Sequence, residues 1–172
     1  MSPCKMKQII LDLSHDNTIE ITEDTELLGL FIGKNDEKLV SRLDVIHNKP
    51  NLKSLTLIKA VVYDNSRFDL EGKLIIRKGA KFTDAYLKID VLLMDEDATA
   101  RAVPSLEITE DDVKGGHGAT IGQLDAEQLF YLSSRGLSRK AAEKTLVEGF
   151  IQDLLQKVAQ RERPKLLTPE II

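Results

Sequence analysis

From Lys7 to about Gly122 the apolar residues come in short runs separated by polar turns. The runs "QIILDL", "LLGLFIG", "SLTLIKAVVYD", "GKLIIRKG", "LKIDVLLMD" and "PSLEITE" are rich in Val, Ile, Leu and Thr, the composition of strands. The turns are Lys34-Asn35-Asp36, Asn48-Lys49-Pro50, Asp64-Asn65-Ser66, Lys78-Gly79, Asp95-Glu96-Asp97 and Glu110-Asp111-Asp112, roughly 13 to 18 residues apart. Strands at this spacing, with no helical stretch between them, predict a stacked β architecture. A solenoid and a two-sheet sandwich give similar spacing, and the repeats share little internal identity, so the pattern leaves both open.

After Gly122 the period changes. Asp125, with Gln128 three residues on, reads as an N-cap with a capping box, and Leu129, Phe130 and Leu132 form the apolar face behind it. Gly136 fits the residue just past a helix end, where a positive φ is needed. Ser138 caps a second helix whose apolar stripe is Ala142, Leu146, Phe150, Leu154 and Val158, at i, i+4 spacing. Val147, Ile151 and Leu155 form a second row beside it, and the two rows together exceed what a short hairpin can bury. Pro164 ends the helix. The expected organisation is a β core over 1–122, a helical region over 123–163 and a tail over 164–172.

Composition narrows the function classes. The net charge of −4 has interleaved signs and no basic block, which argues against nucleic acid. Trp is absent and aromatics make up 5%, which argues against a stacking site for bases or sugars and counts against a polysaccharide enzyme. The single cysteine, Cys4, cannot form an internal disulfide, which fits a reducing cytoplasm. There is no secretion-signal pattern and no apolar run of membrane-spanning length. A chain of 172 residues can bury a core without disulfides or metal.

Candidate chemistry is sparse. Lys114-Gly115-Gly116-His117-Gly118 places a histidine among glycines before the first helix. Neutral imidazole is a common iron ligand, and flanking glycines would expose it; the plainer alternative is a turn histidine bonded to a nearby carbonyl, with Gly115 and Gly116 supplying unusual φ at a strand-to-helix junction. The acid triplets 95–97 and 110–112 could meet a hard cation, but successive turn residues point different ways and read as solvated charge. His15 and His47 have no partners at ligand spacing, and Cys4 is a lone thiol. No nucleophile–base pair, Walker loop or metal cage is present, so no enzyme activity is expected.

"GGHGATIGQLDAEQLFYLSSRGLSRKAAEKTLVEGFI" closely resembles the C-terminal signature of the SufB/SufD family, the scaffolds of the Suf iron–sulfur cluster assembly system. "VIHNKPNLKSLTLIKAVVYDNSRFDLEGKLIIRKGAKFTDA" and "LLMDEDATARAVPSLEITEDDVK" resemble the preceding parts of the same core, so the resemblance covers about residues 40 to 160. It implies a right-handed parallel β-helix followed by a small α-helical hairpin. It also implies a non-catalytic scaffold that pairs with a SufB-type partner, or with itself, through the C-terminal strands. The helical region would dock a SufC-like ABC-type ATPase, with Leu129, Phe130, Tyr131, Arg135, Gly136 and Phe150 as candidate contacts; the plainer reading of Leu129, Phe130, Tyr131 and Phe150 is core between the two helices and the end of the β-helix. A transient iron–sulfur cluster would form near the paired strands, with His117 as a shared ligand.

The chain departs from the family pattern at its thiols. The SufD-type motif Lys-Cys-Ser-His-Gly is Lys114-Gly115-Gly116-His117-Gly118 here, and the SufB-type cysteine would fall close to Ala98. Gly118 in place of Glu makes the chain SufD-like. The alternative expectation is therefore an adaptor for an ABC-type ATPase with no cluster role.

Overall fold

The computed structural model describes residues 6–159. Cys4, Pro164 and the expected tail lie outside them, as do residues 160–163 of the expected helical region. Among the described residues nine strands are followed by two helices: β1 Lys7–Ile10, β2 Asn17–Ile21, β3 Thr25–Gly33, β4 Lys38–His47, β5 Lys53–Val62, β6 Arg67–Ile76, β7 Asp84–Leu93, β8 Thr99–Ile108, β9 Lys114–Gln123, α1 Ala126–Ser134 and α2 Arg139–Ala159. Odd strands stack as one parallel sheet in the order β1-β3-β5-β7-β9, and even strands as a second in the order β2-β4-β6-β8. Thr25 lies beside Ser54, Lys53 beside Asp84, and Asp84 beside Lys114, so each coil takes about 30 residues and turns two corners. The polar turns read from the sequence are those corners. The fold is a β-solenoid, which settles the choice between solenoid and sandwich.

The corners explain the turn chemistry. Asn35 (φ 58°), Asn51 (φ 61°) and Asp64 (φ 53°) occupy the left-handed region that Asn and Asp tolerate best. Turn carboxylates then bind backbone N–H groups of the coil before. The Asn35 N–H donates to Asp64 Oδ2 at 2.7 Å, and the Asp64 N–H donates to Asp95 Oδ2 at 2.8 Å. Likewise Gly79 N–H donates to Glu110 Oε2 at 2.8 Å. The acid triplets thus supply acceptors for corner N–H groups that would otherwise lack partners.

The two sheets differ in pattern for a physical reason. β4, "KLVSRLDVIH", alternates buried and exposed because its outer face meets water. That outer face carries an ion-pair ladder in which Arg101 binds both Asp69 and Glu71 at 2.8 Å. β5, "KSLTLIKAVV", is buried nearly throughout. Its inner residues Ile58, Ala60 and Val62 join the solenoid core, while Leu57 and Val61 on its outer face are covered by α2.

Helix α2 crosses the outside of the five-stranded sheet. Val147 and Ile151 pack on Val61 and Leu92, and Leu154 and Val158 pack on Leu28 and Leu57. Each fully buried side chain of this size contributes roughly 1.5–3 kcal/mol. Residues of both apolar rows, together more than a hairpin alone can bury, pack on this sheet. Polar contacts fix the crossing. Lys59, almost fully buried on β5, pairs with Asp153 at 2.7 Å, donates to the Phe150 carbonyl and lies 4.6 Å from the Phe150 ring centre. At the far end Lys157 pairs with Glu26, and the Gln8 side chain donates to the Lys157 carbonyl. The helix therefore ties the β7 layer to the β1–β3 layer.

Both helix starts follow local rules. The Asp125 side chain accepts from the Glu127 N–H at 2.8 Å rather than from Gln128, so it caps α1 without closing the expected box. Gly136, at φ 95°, ends α1: its N–H donates to the Ser133 carbonyl and the Leu137 N–H to the Leu132 carbonyl. Ser138 Oγ accepts from the Ala141 N–H at 3.3 Å and caps α2.

Candidate functional site

His117 is not in a turn. It lies inside β9, beside Leu87 of β7. Leu87 is a fully buried core residue, so His117 points to the inner face of the solenoid. It is nonetheless exposed, because β9 and β8 are the last strands of their sheets. The same inner face shows Leu106 and Ile108, each 38% exposed, and Ile121, 43% exposed. Their register partners one coil earlier, Leu74, Ile76 and Val91, are buried. The terminal coil is an uncovered cross-section of the core with an imidazole set in it.

The flanking glycines correct the expectation of a strand-to-helix junction. Neither Gly115 nor Gly116 has a positive φ; the glycines that do are Gly79 and Gly136. Their role is steric. A Cβ at Gly115 would lie 2.6 Å from Ile108 Cδ1, and a Cβ at Gly116 would lie 2.8 Å from the Tyr86 ring. Gly115 makes room for an inner-face side chain, and Gly116 for an aromatic ring on the outer face.

Ala98, at the position expected for a SufB-type cysteine, is buried in the core. Among the described residues no group of three His, Cys, Asp or Glu could hold a metal ion. His117 and the acid triplets are thus not brought together. His15 is an exposed residue 3.6 Å from Asp12. His47, given no role from the sequence, is fully buried: its Nε2 lies 2.9 Å from Ser54 Oγ, and burial pushes its pKa down. Its signal in the sequence was the inward parity of "LDVIH", which continues Leu43 and Val45.

Helix α1 has no buried residue, so Leu129, Phe130 and Tyr131 do not form core between the helices and the β-helix end. Phe130 is 76% exposed and Tyr131 56%, and the Arg135 guanidinium sits 5.2 Å from the Tyr131 ring centre. Leu129 is half-buried, and Gly136 forms the turn just beyond. Phe150 is apart from this group, half-buried between α2 and the sheet. Lys59, which anchors α2, was missed; a lone lysine inside the apolar run "SLTLIKAVVYD" was its available signal. Among the described residues no helix is long and apolar enough to cross a membrane.

Residues 13–150 match the family model described as SUF system FeS cluster assembly, SufBD core domain. An iron–sulfur cluster assembly SufBD family protein of Mycobacterium tuberculosis is 36% identical over 156 residues, covering 86% of this chain and 39% of that protein. A SufBD family protein of Mycobacterium leprae is 38% identical over 144 residues, covering 79% and 37%. The iron–sulfur cluster assembly protein SufD of Escherichia coli is 33% identical over 147 residues, covering 84% and 35%. The chain therefore spans well under half the length of these relatives.

Proposed function

The chain belongs to the SufB/SufD family, and from that premise we propose that it is a non-catalytic scaffold in iron–sulfur cluster assembly. The observation that carries this reading is the uncovered terminal coil, with His117 on its inner face amid exposed Leu106, Ile108 and Ile121. Free strand edges and an open apolar cross-section favour a second scaffold seated there. That scaffold would be a SufB-type protein or another copy of this chain.

The cluster is cargo in this reading. Iron–sulfur clusters are held mainly by thiolates, and one imidazole is a single ligand. The thiolates would come from the partner, with His117 completing the set. The exposed Phe130 and Tyr131, with Arg135, are suited to docking a SufC-like ABC-type ATPase, and Leu129 and Gly136 set the shape of that surface. Phe150, which packs with α2 on the sheet, lies apart from that surface and is not part of it. Cycling of the ATPase would then move the paired scaffolds in the cytoplasm.

The test is co-assembly. Phe130→Asp combined with Tyr131→Asp should abolish co-purification with the cognate SufC-like ATPase and leave the thermal unfolding of the chain unchanged. Full recovery of the ATPase with the double variant would place the docking site elsewhere. Gly115 and Ala98 at the motif cysteine positions favour a second reading, an ATPase adaptor with no cluster role. It is separated from the first by whether the assembled complex forms a cluster chromophore that responds to His117→Ala.

A further inference from the structure

The first coil of the solenoid is cut short. Between Ile10 and Asn17 the chain takes six residues, 11–16. Between their register partners one coil on, Leu28 and Leu43, it takes fourteen, 29–42. The bend of the first coil is therefore eight residues shorter than the bend it lies on. In the place of those residues is an apolar groove lined by Ile10, Leu11, Leu13, Leu30, Phe31 and Leu39.

Both walls of the groove are strand edges. β1 pairs only with residues 25–28 of β3, and β2 only with residues 43–47 of β4. The Leu11 N–H donates to the Leu28 carbonyl. Leu30 and Ile32, two and four residues further on, turn their N–H and C=O groups the same way, and no described strand lies beside them there. Both residues are half-buried, where an unmet backbone group is costly. On the other wall the Arg42 N–H donates to Asp16 Oδ1 at 2.8 Å, and Val40 turns the same way with no described strand beside it. An extended segment on the β3 edge would find apolar side chains on both faces: Leu30 and Ile32 toward α2, and Phe31 toward the core.

Helix α2 ends close to this groove. The Gln8 side chain donates to the Lys157 carbonyl, and Lys157 pairs with Glu26. The groove begins at Ile10 and Leu11, up to three residues along from Gln8, or about 10 Å. After Ala159 the sequence reads "QRERPKLLTPEII". Its first five residues can span up to about 17 Å, and Pro164 among them cannot continue a helix. The eight residues 165–172 match the shortfall in number and in pattern. Leu166-Leu167 and Ile171-Ile172 are apolar pairs, and Pro169 between them suits a corner. A segment tethered this close outcompetes a separate chain of similar sequence through its effective concentration.

We propose that residues 165–172 fill this groove as the missing bend of the first coil, with Leu166 and Leu167 along the β3 edge and Ile171 and Ile172 along the β4 edge. The chain thereby closes its own strand edges at this end against addition of a foreign strand. The proposal does not depend on how the other end of the solenoid is covered.

The test is residue-resolved amide hydrogen exchange by NMR on the full chain at two protein concentrations. Two double variants are compared with wild type: Leu166→Asp with Leu167→Asp, and Leu166→Met with Leu167→Met. In the wild type the N–H groups of Leu30, Ile32 and Val40 should be protected at both concentrations. The Asp pair should speed exchange at Leu30 and Ile32 at least about tenfold and leave Ile58 and Ala60, in the middle of the sheet, unchanged. The Met pair, apolar and of similar volume, should keep the protection. Fast exchange at Leu30 and Ile32 in the wild type would show the edge to be uncovered. Protection that grows with protein concentration and ignores the Asp pair would show a separate chain in the groove. Equal acceleration at Ile58 and Ala60 would make the segment a general support of the fold. Each of these three results overturns the proposal.

Discussion

The two ends of the solenoid are finished differently. At the N-terminal end β1 and β2 are short, and the segment after β1 folds over the cross-section: Leu11 and Leu13 are buried in the core. The Leu13 methyls fill the space above Gly29, where a Cβ would lie 3.2 Å away. A groove of about 600 Å³ between Ile10–Ser14, Leu30, Phe31, Lys38 and Leu39 is what remains of the opening. At the other end β8 and β9 run ten residues each, and no side chain among the described residues closes the core behind them. Similar inward-facing hydrophobic residues are plugged by the chain itself at one end and left for something else at the other. An end that is plugged contributes to the stability of the monomer. An end that is open can contribute only after it is covered.

The largest effect expected from this contrast is on the plug. Leu13→Ala removes a buried side chain whose methyls lie against Gly29, a residue with no side chain of its own to fill the gap. It should lower the unfolding free energy by about 3 kcal/mol in urea titration, within the range for such truncations. Ile121→Ala at the open end, measured on the monomer, should cost less than about 1 kcal/mol, since that side chain is already partly in water. Equal losses at the two positions would break the comparison.

A smaller effect should come from pH. His47 is buried inside the coil, between Ile21 and Ile76, with Ser54 Oγ as its hydrogen-bond partner and Nδ1 unsatisfied. Burial holds its folded-state pKa below the ordinary histidine value of about 6.5. The unfolded chain therefore binds a proton that the folded chain does not, and stability must fall as pH drops through about 6.5 toward the lower folded-state value. This window lies above the acid range in which Glu26, Asp69 and Asp153 lose the contacts that lower their pKa values. Melting temperatures between pH 7.5 and 5.5 should decline for the wild type, and His47→Leu should flatten that decline. An unchanged slope in the variant would mean that His47 is not the group responsible.

Much of this was legible in the sequence because it is local. The corner residues Asn35, Asp64 and Asp95 advertise turns, and the N-caps Asp125 and Ser138 and the C-terminal Gly136 depend on neighbours within a few positions. What was not legible depends on residues a full coil apart. "GGHG" reads as a turn because glycine has no preference for strands; it is a strand because it pairs with β7, and it is glycine because the Tyr86 ring and the Ile108 side chain reach it from other strands. The same distance hid Lys59, whose partners Asp153 and Phe150 lie some 90 residues on in α2. The inward direction of His117 also had to wait for the register with Leu87.

The smallest expected effect on stability is at His117, and it is the sharpest test of what the open end is for. Its ring makes no hydrogen bond or ion pair among the described residues that would be lost on removal, so His117→Ala should change the unfolding free energy of the monomer by no more than about 0.5 kcal/mol, as for an exposed substitution. The isolated chain should stay colourless after anaerobic incubation with iron and sulfide, since one imidazole cannot retain a cluster against water. Mixed with a cysteine-bearing SufB-type partner and its ATPase, the wild-type chain should support the brown chromophore, and His117→Ala should reduce its yield. If instead the variant loses about 2 kcal/mol of stability, the histidine is part of the architecture of the last coil. If the chromophore forms equally well without it, the open end serves pairing alone, and the uncovered core at β8 and β9 has no cluster to explain.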